Sequence, residues 1–230
     1  MKTFTQKVVA LCAGVFLAAN MAVYGTTILY DNSTTPTGSN LSFVNGSTIG
    51  NEIIMGNPSL ANTLTSFSFE FYSAETAFFS SSVQMEVFLY ANNGGLVNGY
   101  ATPNSVLYDS GLFSLPTPLQ ITSGASLTAN INFNLSTPIT VPHDFTLAIE
   151  VTGLGASDSA GVALFDPATV GSNYGDYWLN GGSGWQLDTL GTRTDFGAQF
   201  VGSAIPDAAP TAMLLGAALA SLGFLRRKLS

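Results

Sequence analysis

The sequence is poor in charged residues and has almost no cysteine or histidine. Charged residues make up 9% of its 230 residues, whereas an ordinary globular protein has about 25%. Cys12 is the only cysteine and lies close to the N-terminus, so disulfides and cysteine nucleophiles are excluded from the rest of the chain. His143 is the only histidine, which excludes a zinc site built from several imidazoles.

Basic residues are nearly absent between the two ends of the chain. Arg193 is the only Lys or Arg between residues 26 and 205, where there are thirteen Asp and Glu residues and a formal charge of 1 − 13 = −12. A field of this sign repels nucleic acid and anionic lipid. We therefore expect no nucleic-acid partner, whereas neutral sugars and divalent cations would be tolerated.

The N-terminus has the three parts of a secretory signal peptide. A short basic start with Lys2 and Lys7 precedes an apolar stretch over residues 8–23, and Val23 and Gly25 supply tolerated or small residues at the −3 and −1 positions of a cleavage site. We predict that residues 1–25 are a signal peptide removed on export and that residues 26–204 form the exported domain. The alternative is a buried N-terminal helix.

The C-terminus places an apolar run between an acidic tripeptide and a basic end. Ile205, Pro206 and Asp207 precede the run. Residues 208–225 would rise about 27 Å as a helix, close to the roughly 30 Å of a bilayer core, so we predict a transmembrane helix there. Basic residues after the helix favour a cytoplasmic C-terminus, and the chain has three of them: Arg226, Arg227 and Lys228.

This order of parts resembles the PEP-CTERM sorting signals of Gram-negative bacteria, and it is closer to their VPD-type variant. Asp207 stands where the name-giving motif has Glu, Ile205 replaces the Val of Val-Pro-Asp, and Pro210-Thr211 stands where Ser-Thr is expected. The resemblance implies recognition by an exosortase-type sorting protease. It also implies a precursor anchored transiently in the inner membrane and then transferred to the cell envelope, cell surface or extracellular matrix. The alternative is a plain anchor that no enzyme cuts.

Residues 26–204 show a period of two. Apolar and polar residues alternate over four runs, at residues 65–71, 83–90, 127–135 and 145–152, as in strands with one buried and one wet face. Turn signals, among them residues 36–38, 92–95, 153–155 and 180–184, separate the runs. We predict an all-β domain, an antiparallel β-sandwich of jelly-roll-like arrangement with about nine to eleven strands.

The segment over residues 83–187 is similar to the β-sandwich ectodomains often found ahead of PEP-CTERM tails, which are grouped as choice-of-anchor domains. Leu89-Tyr90, Tyr177-Trp178 and Gly184-Trp185 mark the order on which the similarity rests. The similarity implies the sandwich fold and a surface location, and it implies no molecular activity.

The residues offer no clear catalytic group. His143 lies in Val141-Pro142-His143-Asp144 without a Gly-x-Ser-x-Gly elbow nearby, so we expect a solvent-exposed turn residue. Glu70, Glu86 and Glu150 project from the polar faces of strands, and two of them could form a glycosidase pair. Charged side chains on a wet sheet face are the ordinary interpretation, so we predict a protein that is not an enzyme. A secreted hydrolase is the least favoured alternative.

Aromatic and acidic residues leave two binding hypotheses open. Tyr177, Trp178 and Trp185 flank the Gly-rich turn, where exposed rings could stack on sugars as in a carbohydrate-binding module, or pack across a hairpin. We expect no cofactor, with Ca²⁺ as an alternative because three carboxylates lie in loop-like segments: Asp158, Asp166 and Asp176. The favoured function is that of a non-catalytic exported surface or biofilm-matrix protein associated with exopolysaccharide.

Overall fold

The computed structural model describes residues 27–57, 61–73, 79, 82–115, 128–189 and 195–204. The predicted signal peptide and the predicted sorting segment with its transmembrane helix lie outside the described residues. Within the described ranges the regular structure consists of strands alone. This part of the chain holds no helix long and apolar enough to cross a membrane.

Fourteen strands form in the described residues. Their bounds are β1 Thr27–Asp31, β2 Pro36–Ser42, β3 Thr48–Ile54, β4 Ala61–Ser73, β5 Gln84–Val97, β6 Tyr100–Asp109, β7 Phe113–Ser114, β8 Thr128–Pro142, β9 Asp144–Thr152, β10 Ala160–Phe165, β11 Ser172–Asn173, β12 Tyr177–Asn180, β13 Trp185–Asp188 and β14 Ala198–Ala204.

The strands form two antiparallel sheets. The six-stranded sheet has the order β1-β14-β4-β10-β2, with β8 beside β4. The eight-stranded sheet has the order β13-β12-β3-β9-β5-β6, with β11 beside β3 and β7 beside β5. The predicted all-β antiparallel sandwich is therefore confirmed.

The core lies between the two sheets and is rich in phenylalanine. The period-two runs place one face of β4 and one face of β9 inside, where their apolar side chains are at most 2% exposed. The Phe200 ring of β14 lies 5.5 Å from that of Phe67 in β4 and 5.2 Å from that of Phe145 in β9. The Phe200–Phe145 contact joins the two sheets, since β14 and β4 belong to one sheet and β9 to the other. Each buried ring stabilises the fold by about 1.5 to 3 kcal/mol.

The turn predicted at residues 92–95 was wrong, because these residues belong to β5. The chain reverses at Asn98 and Gly99, whose φ angles of 53° and 92° are both positive. Two positive φ angles make a type I′ hairpin turn, which Asn-Gly favours. Strand β5 is therefore longer than expected, and its register with β6 shifts three times between Leu89 and Leu96. We call residues 92–104 the arm.

Two further details differ from the prediction. The turn expected at residues 36–38 was wrong, since Pro36 begins β2 and pairs with Phe165 of β10. Strand β2 is at a sheet edge, and proline is tolerated at the first residue of an edge strand. The predicted number of strands was too low, because strands as short as β7 and β11, with two residues each, leave no pattern in the sequence. In addition, β3 and β10 are buried along almost their whole length and show no alternation.

Candidate functional site

The outer face of the eight-stranded sheet carries polar and aromatic side chains in register. Glu52 of β3 and Tyr90 of β5 both lie opposite Thr146 of β9. In a parallel row, Thr48 of β3 and Glu86 of β5 both lie opposite Glu150. Their sequence neighbours point into the core, so alternation directs these side chains away from it.

Between these two rows of side chains lies a third, which contains Trp178. Trp178 of β12 lies opposite Gly50, which in turn lies opposite Ala148. Trp178 is 1% exposed although it faces the outer side of the sheet. The two small residues leave room for a large ring there, and even a Cβ at Gly50 would lie 2.7 Å from Thr146 Cγ2. Trp178 is therefore a packing residue of this face.

The β12–β13 hairpin brings the two tryptophans onto one face. Trp178 pairs with Leu187 and Asn180 pairs with Trp185, which makes Trp178 and Trp185 diagonal neighbours. Trp185 is partly exposed, and its ring lies 5.8 Å from the Tyr90 ring at an interplanar angle of 76°.

Tyr177 points to the opposite side of the hairpin. It is 7% exposed, and its hydroxyl donates to Asp188 Oδ2 over 3.1 Å. Of the three aromatic residues predicted to stack on sugars, Trp185 alone has a partly exposed ring.

The arm closes over one end of this face. The Tyr100 ring at the arm's tip lies 5.8 Å from the Tyr174 ring in the segment before β12. Between the arm and the β12–β13 hairpin lies a shallow cavity of about 440 Å³ that is widely open to solvent. The residues that line it are Gly94, Gly95, Leu96, Val97, Thr102, Pro103, Asn104, Gly184 and Trp185. We call this cavity, with the outer-face residues beside it, the arm cleft.

Asn92 ties the base of the arm to the sheet. Its Nδ2 donates to Glu52 Oε1 over 2.9 Å and to Asp144 Oδ1 over 2.7 Å. Its Oδ1 accepts a hydrogen bond of 2.7 Å from Thr146 Oγ1. The Asn92 side chain thus connects β5 with both β3 and β9. The sequence pattern predicted a turn at Asn92 and did not identify this role.

Buried Glu52 and half-buried Asp144 form a carboxyl pair. Glu52 is 6% exposed, and burial, followed by the charge and hydrogen bond of Asp144 and the charge of Asp176, raises its pKa to about 8. Burial also raises the pKa of Asp144. Two carboxyl groups so placed titrate as a pair, so near neutral pH the pair retains one proton.

A second carboxylate group lies further along the same face. Glu86 is directly opposite Glu150, and Asp109 of β6 faces the same side because it pairs with Phe88. Burial, then the hydrogen bond and charge of Asp109, then the charge of Glu150, raise the pKa of Glu86. Burial also raises the pKa of Tyr90, and so do the charges of Asp109, Glu150 and Glu86. We call Glu86, Asp109 and Glu150 the carboxylate trio.

The structure separates the three glutamates considered for catalysis. Glu86 and Glu150 come together in the carboxylate trio, whereas Glu70 lies on the outer face of the other sheet, where it accepts from Asn130 Nδ2 over 3.0 Å. His143 lies at the bend between β8 and β9 as expected, but it is half-buried rather than exposed. Its carbonyl oxygen accepts the Met55 N–H over 3.0 Å.

The carboxylates considered for Ca²⁺ lie in three different loops. Asp158 accepts the Gly155 N–H over 2.7 Å within the β9–β10 loop, Asp166 follows β10, and Asp176 precedes β12. Across the described ranges, no three His, Cys, Asp or Glu side chains are arranged to hold a metal ion.

Comparison with known proteins identifies no family for this chain. No protein-family model matches the sequence, and no curated protein matches it significantly. Among solved structures, the chain is similar to the crystal structure of the infectious bursal disease virus VP2 subviral particle, with 13% identity and a TM-score of 0.22. The match covers 87% of this chain and 46% of the viral chain, so this chain spans under half the length of that protein. A likeness at this TM-score carries no argument about fold or function.

Proposed function

We propose that this chain is a non-catalytic exported surface or extracellular-matrix protein whose β-sandwich binds extracellular polysaccharide in the arm cleft. The observation that carries the proposal is the Trp185–Tyr90 aromatic pair beside an open cavity of about 440 Å³. Aromatic rings offer apolar faces to sugar rings, and a few placed polar groups then fix a ligand's orientation. Thr102 and Asn104 line the cavity with a hydroxyl and an amide.

Export and sorting form the second part of the proposal, and they rest on the sequence. Residues 1–25 would direct export, and a helix over residues 208–225 would hold the precursor in the inner membrane. An exosortase-type protease would read the motif around Pro206 and Asp207, with the basic end fixing orientation. The sandwich, which we propose is jelly-roll-like, would then reach the envelope or biofilm matrix of a Gram-negative bacterium and associate with exopolysaccharide there.

The geometry of the carboxylates favours binding over hydrolysis. Glycosidases hold two carboxyl groups about 5 to 9 Å apart on either side of the scissile bond. Glu52 and Asp144 are hydrogen-bonded to each other, and Glu52 is almost fully buried. Glu86 and Glu150 project side by side from paired positions, so both would meet a ligand from the same side.

The proposal is tested by measuring the affinity of the full-length protein for a panel of oligosaccharides by titration calorimetry. Trp185→Ala should weaken binding about tenfold, or about 1.4 kcal/mol, because the partly exposed ring would no longer contact the sugar. Tyr72→Ala is the matched control, since this half-buried aromatic lies on the outer face of the other sheet. Its affinity should equal that of the parent protein.

Two results would contradict the proposal. The first is that no oligosaccharide of the panel binds the parent protein. The second is that Trp185→Ala binds as tightly as Tyr72→Ala, which would move any glycan site away from the arm cleft.

A further inference from the structure

We infer that the arm cleft selects glycans that carry positive charge, namely polymers of amino sugars with free amino groups, over neutral and anionic glycans. The inference rests on the proposed function and names its ligand class. It starts from the charge of the molecule: the described residues contain twelve carboxylates and no Lys or Arg. An anionic polysaccharide would meet no cation on any described surface.

The carboxylates are concentrated on the face that forms the cleft. Six of them lie on the outer face of the eight-stranded sheet or in the segment before β12, although none is among the residues that line the cavity: Glu52, Glu86, Asp109, Asp144, Glu150 and Asp176. The outer face of the other sheet carries less charge. On its strands β4 and β8, Glu70 is surrounded by hydroxyl and amide side chains. A small groove of about 80 Å³ there is lined by uncharged residues. Half of the twelve described carboxylates thus lie on one face of one sheet or directly before β12, whereas the β4 and β8 face of the other sheet carries a single one.

The carboxylate trio is an unfavourable arrangement without a cation. Like charges directly opposite on neighbouring strands destabilise a sheet, and Glu86 and Glu150 are so placed, with Asp109 beside them. Thr48 Oγ1 donates to Glu150 Oε2 over 3.1 Å, but a hydroxyl cannot neutralise the charge. An ammonium group that enters between these side chains removes the repulsion, so binding gains free energy that a neutral sugar cannot supply.

Aromatic rings adjoin the trio and complete a site for a cationic sugar. All three trio charges act on Tyr90, and the Tyr90 ring contacts that of Trp185 at the cavity wall. A ring face attracts an ammonium group and also stacks on the sugar that carries it. The trio and the cavity are therefore connected by one aromatic pair, and both can act on the same oligosaccharide.

The test compares the affinities of the full-length protein for three hexasaccharides: glucosamine, N-acetylglucosamine and a uronic acid. At about pH 6 in low salt the free amino groups are protonated. We expect the glucosamine hexamer to bind about tenfold more tightly than the acetylated hexamer, and the uronic acid hexamer not to bind. The preference should shrink in about 1 M salt, where the Debye length is about 3 Å.

Three variants test which carboxylates cause the preference for the glucosamine hexamer. In the double variant Glu86→Gln/Glu150→Gln, the ratio of the glucosamine to the acetylated affinity should fall to about one. Asp109→Asn, a single change at an exposed position, should lower the ratio partially. Glu70→Gln on the other sheet is the control and should keep the full ratio.

The outcomes separate the inference from the proposed function. Equal affinity for the amino and acetylated hexamers, or an unchanged preference in the double variant, overturns the inference. If Trp185→Ala weakens binding of both hexamers in that case, glycan binding in the cleft still stands. If none of the three hexamers binds, or if Trp185→Ala binds them as tightly as the parent protein does, the proposed function itself is contradicted.

Discussion

The buried carboxyl pair predicts that the protein loses stability as the pH rises through neutrality. Glu52 is 6% exposed, and Asp144, Asp176 and Tyr174 surround it with acidic groups, while His143 adjoins Asp144. The pKa of Glu52 is raised from an ordinary value of 4.5 to about 8. Between these two values the folded state therefore binds more protons than the unfolded state. The stabilisation is complete below about pH 4.5 and is lost as the pH rises through about 8.

The size of the effect follows from the same two pKa values. An isolated group whose pKa moves from 4.5 to about 8 would change the free energy of unfolding by about 5 kcal/mol. Asp144 shares the proton, so part of the change belongs to the pair rather than to Glu52. We expect a loss of about 2 kcal/mol between pH 5 and pH 9.

Glu52→Gln isolates this effect. A glutamine resembles the protonated acid, since its amide oxygen can still accept from Asn92 and its amide nitrogen can donate to Asp144. The variant should therefore be more stable than the parent protein at pH 9 by about 2 kcal/mol and should match it near pH 5. Glu70→Gln, at a half-buried site on the outer face of the other sheet, should follow the parent protein at every pH.

Urea unfolding of the full-length proteins, followed by tryptophan fluorescence at pH 5, 7 and 9, measures these differences. If Glu52→Gln and the parent protein lose the same free energy of unfolding between pH 5 and 9, the buried pair is not the source of the pH dependence. An increase in stability with pH in the parent protein would refute the reasoning more directly.

Three further predictions concern packing, the arm and processing. Trp178→Ala should lower the free energy of unfolding by about 3 to 5 kcal/mol in urea titrations, and a loss below 1 kcal/mol would contradict its packing role. Gly99→Ala forces a side chain onto a φ of 92°, so it should cost about 1 kcal/mol and weaken glycan binding in calorimetry; unchanged affinity would mean that the arm does not shape the cleft. The mature protein from native cells should end near Asp207 by mass spectrometry, in the outer envelope or medium, whereas an intact C-terminus confined to the inner membrane would indicate a plain anchor.

Much of the fold could be predicted because half-buried antiparallel strands leave a period of two in the sequence. This pattern located β4, β5, β8 and β9, and it was enough to predict a sandwich. It could not locate β3 or β10, since strands buried on both faces have no polar alternation. The Asn98-Gly99 dipeptide carries a hairpin signal, whereas the sequence prediction placed the turn at residues 92–95.

The candidate site could be predicted only in part because it depends on register between distant strands. Trp185 was identified from its place beside a Gly-rich turn. Trp178 has the same sequence signal, yet it is buried, because Gly50 and Ala148 lie beside it across two strand pairs. Likewise, Glu52 and Asp144 meet only when β3 pairs with β9 and Asn92 of β5 joins them. The residue types alone do not predict which residues lie opposite each other in the sheet.

The central claim is that glycans bind in the arm cleft, and nuclear magnetic resonance of the two tryptophans tests it most directly. The chain has two tryptophans, so a nitrogen-15-labelled full-length protein gives two indole N–H signals, which Trp185→Phe assigns. During titration with a glucosamine hexamer, the Trp185 signal should shift in a saturable manner while the buried Trp178 signal moves much less. A titration in which the Trp185 signal stays in place while the hexamer binds would contradict the claim.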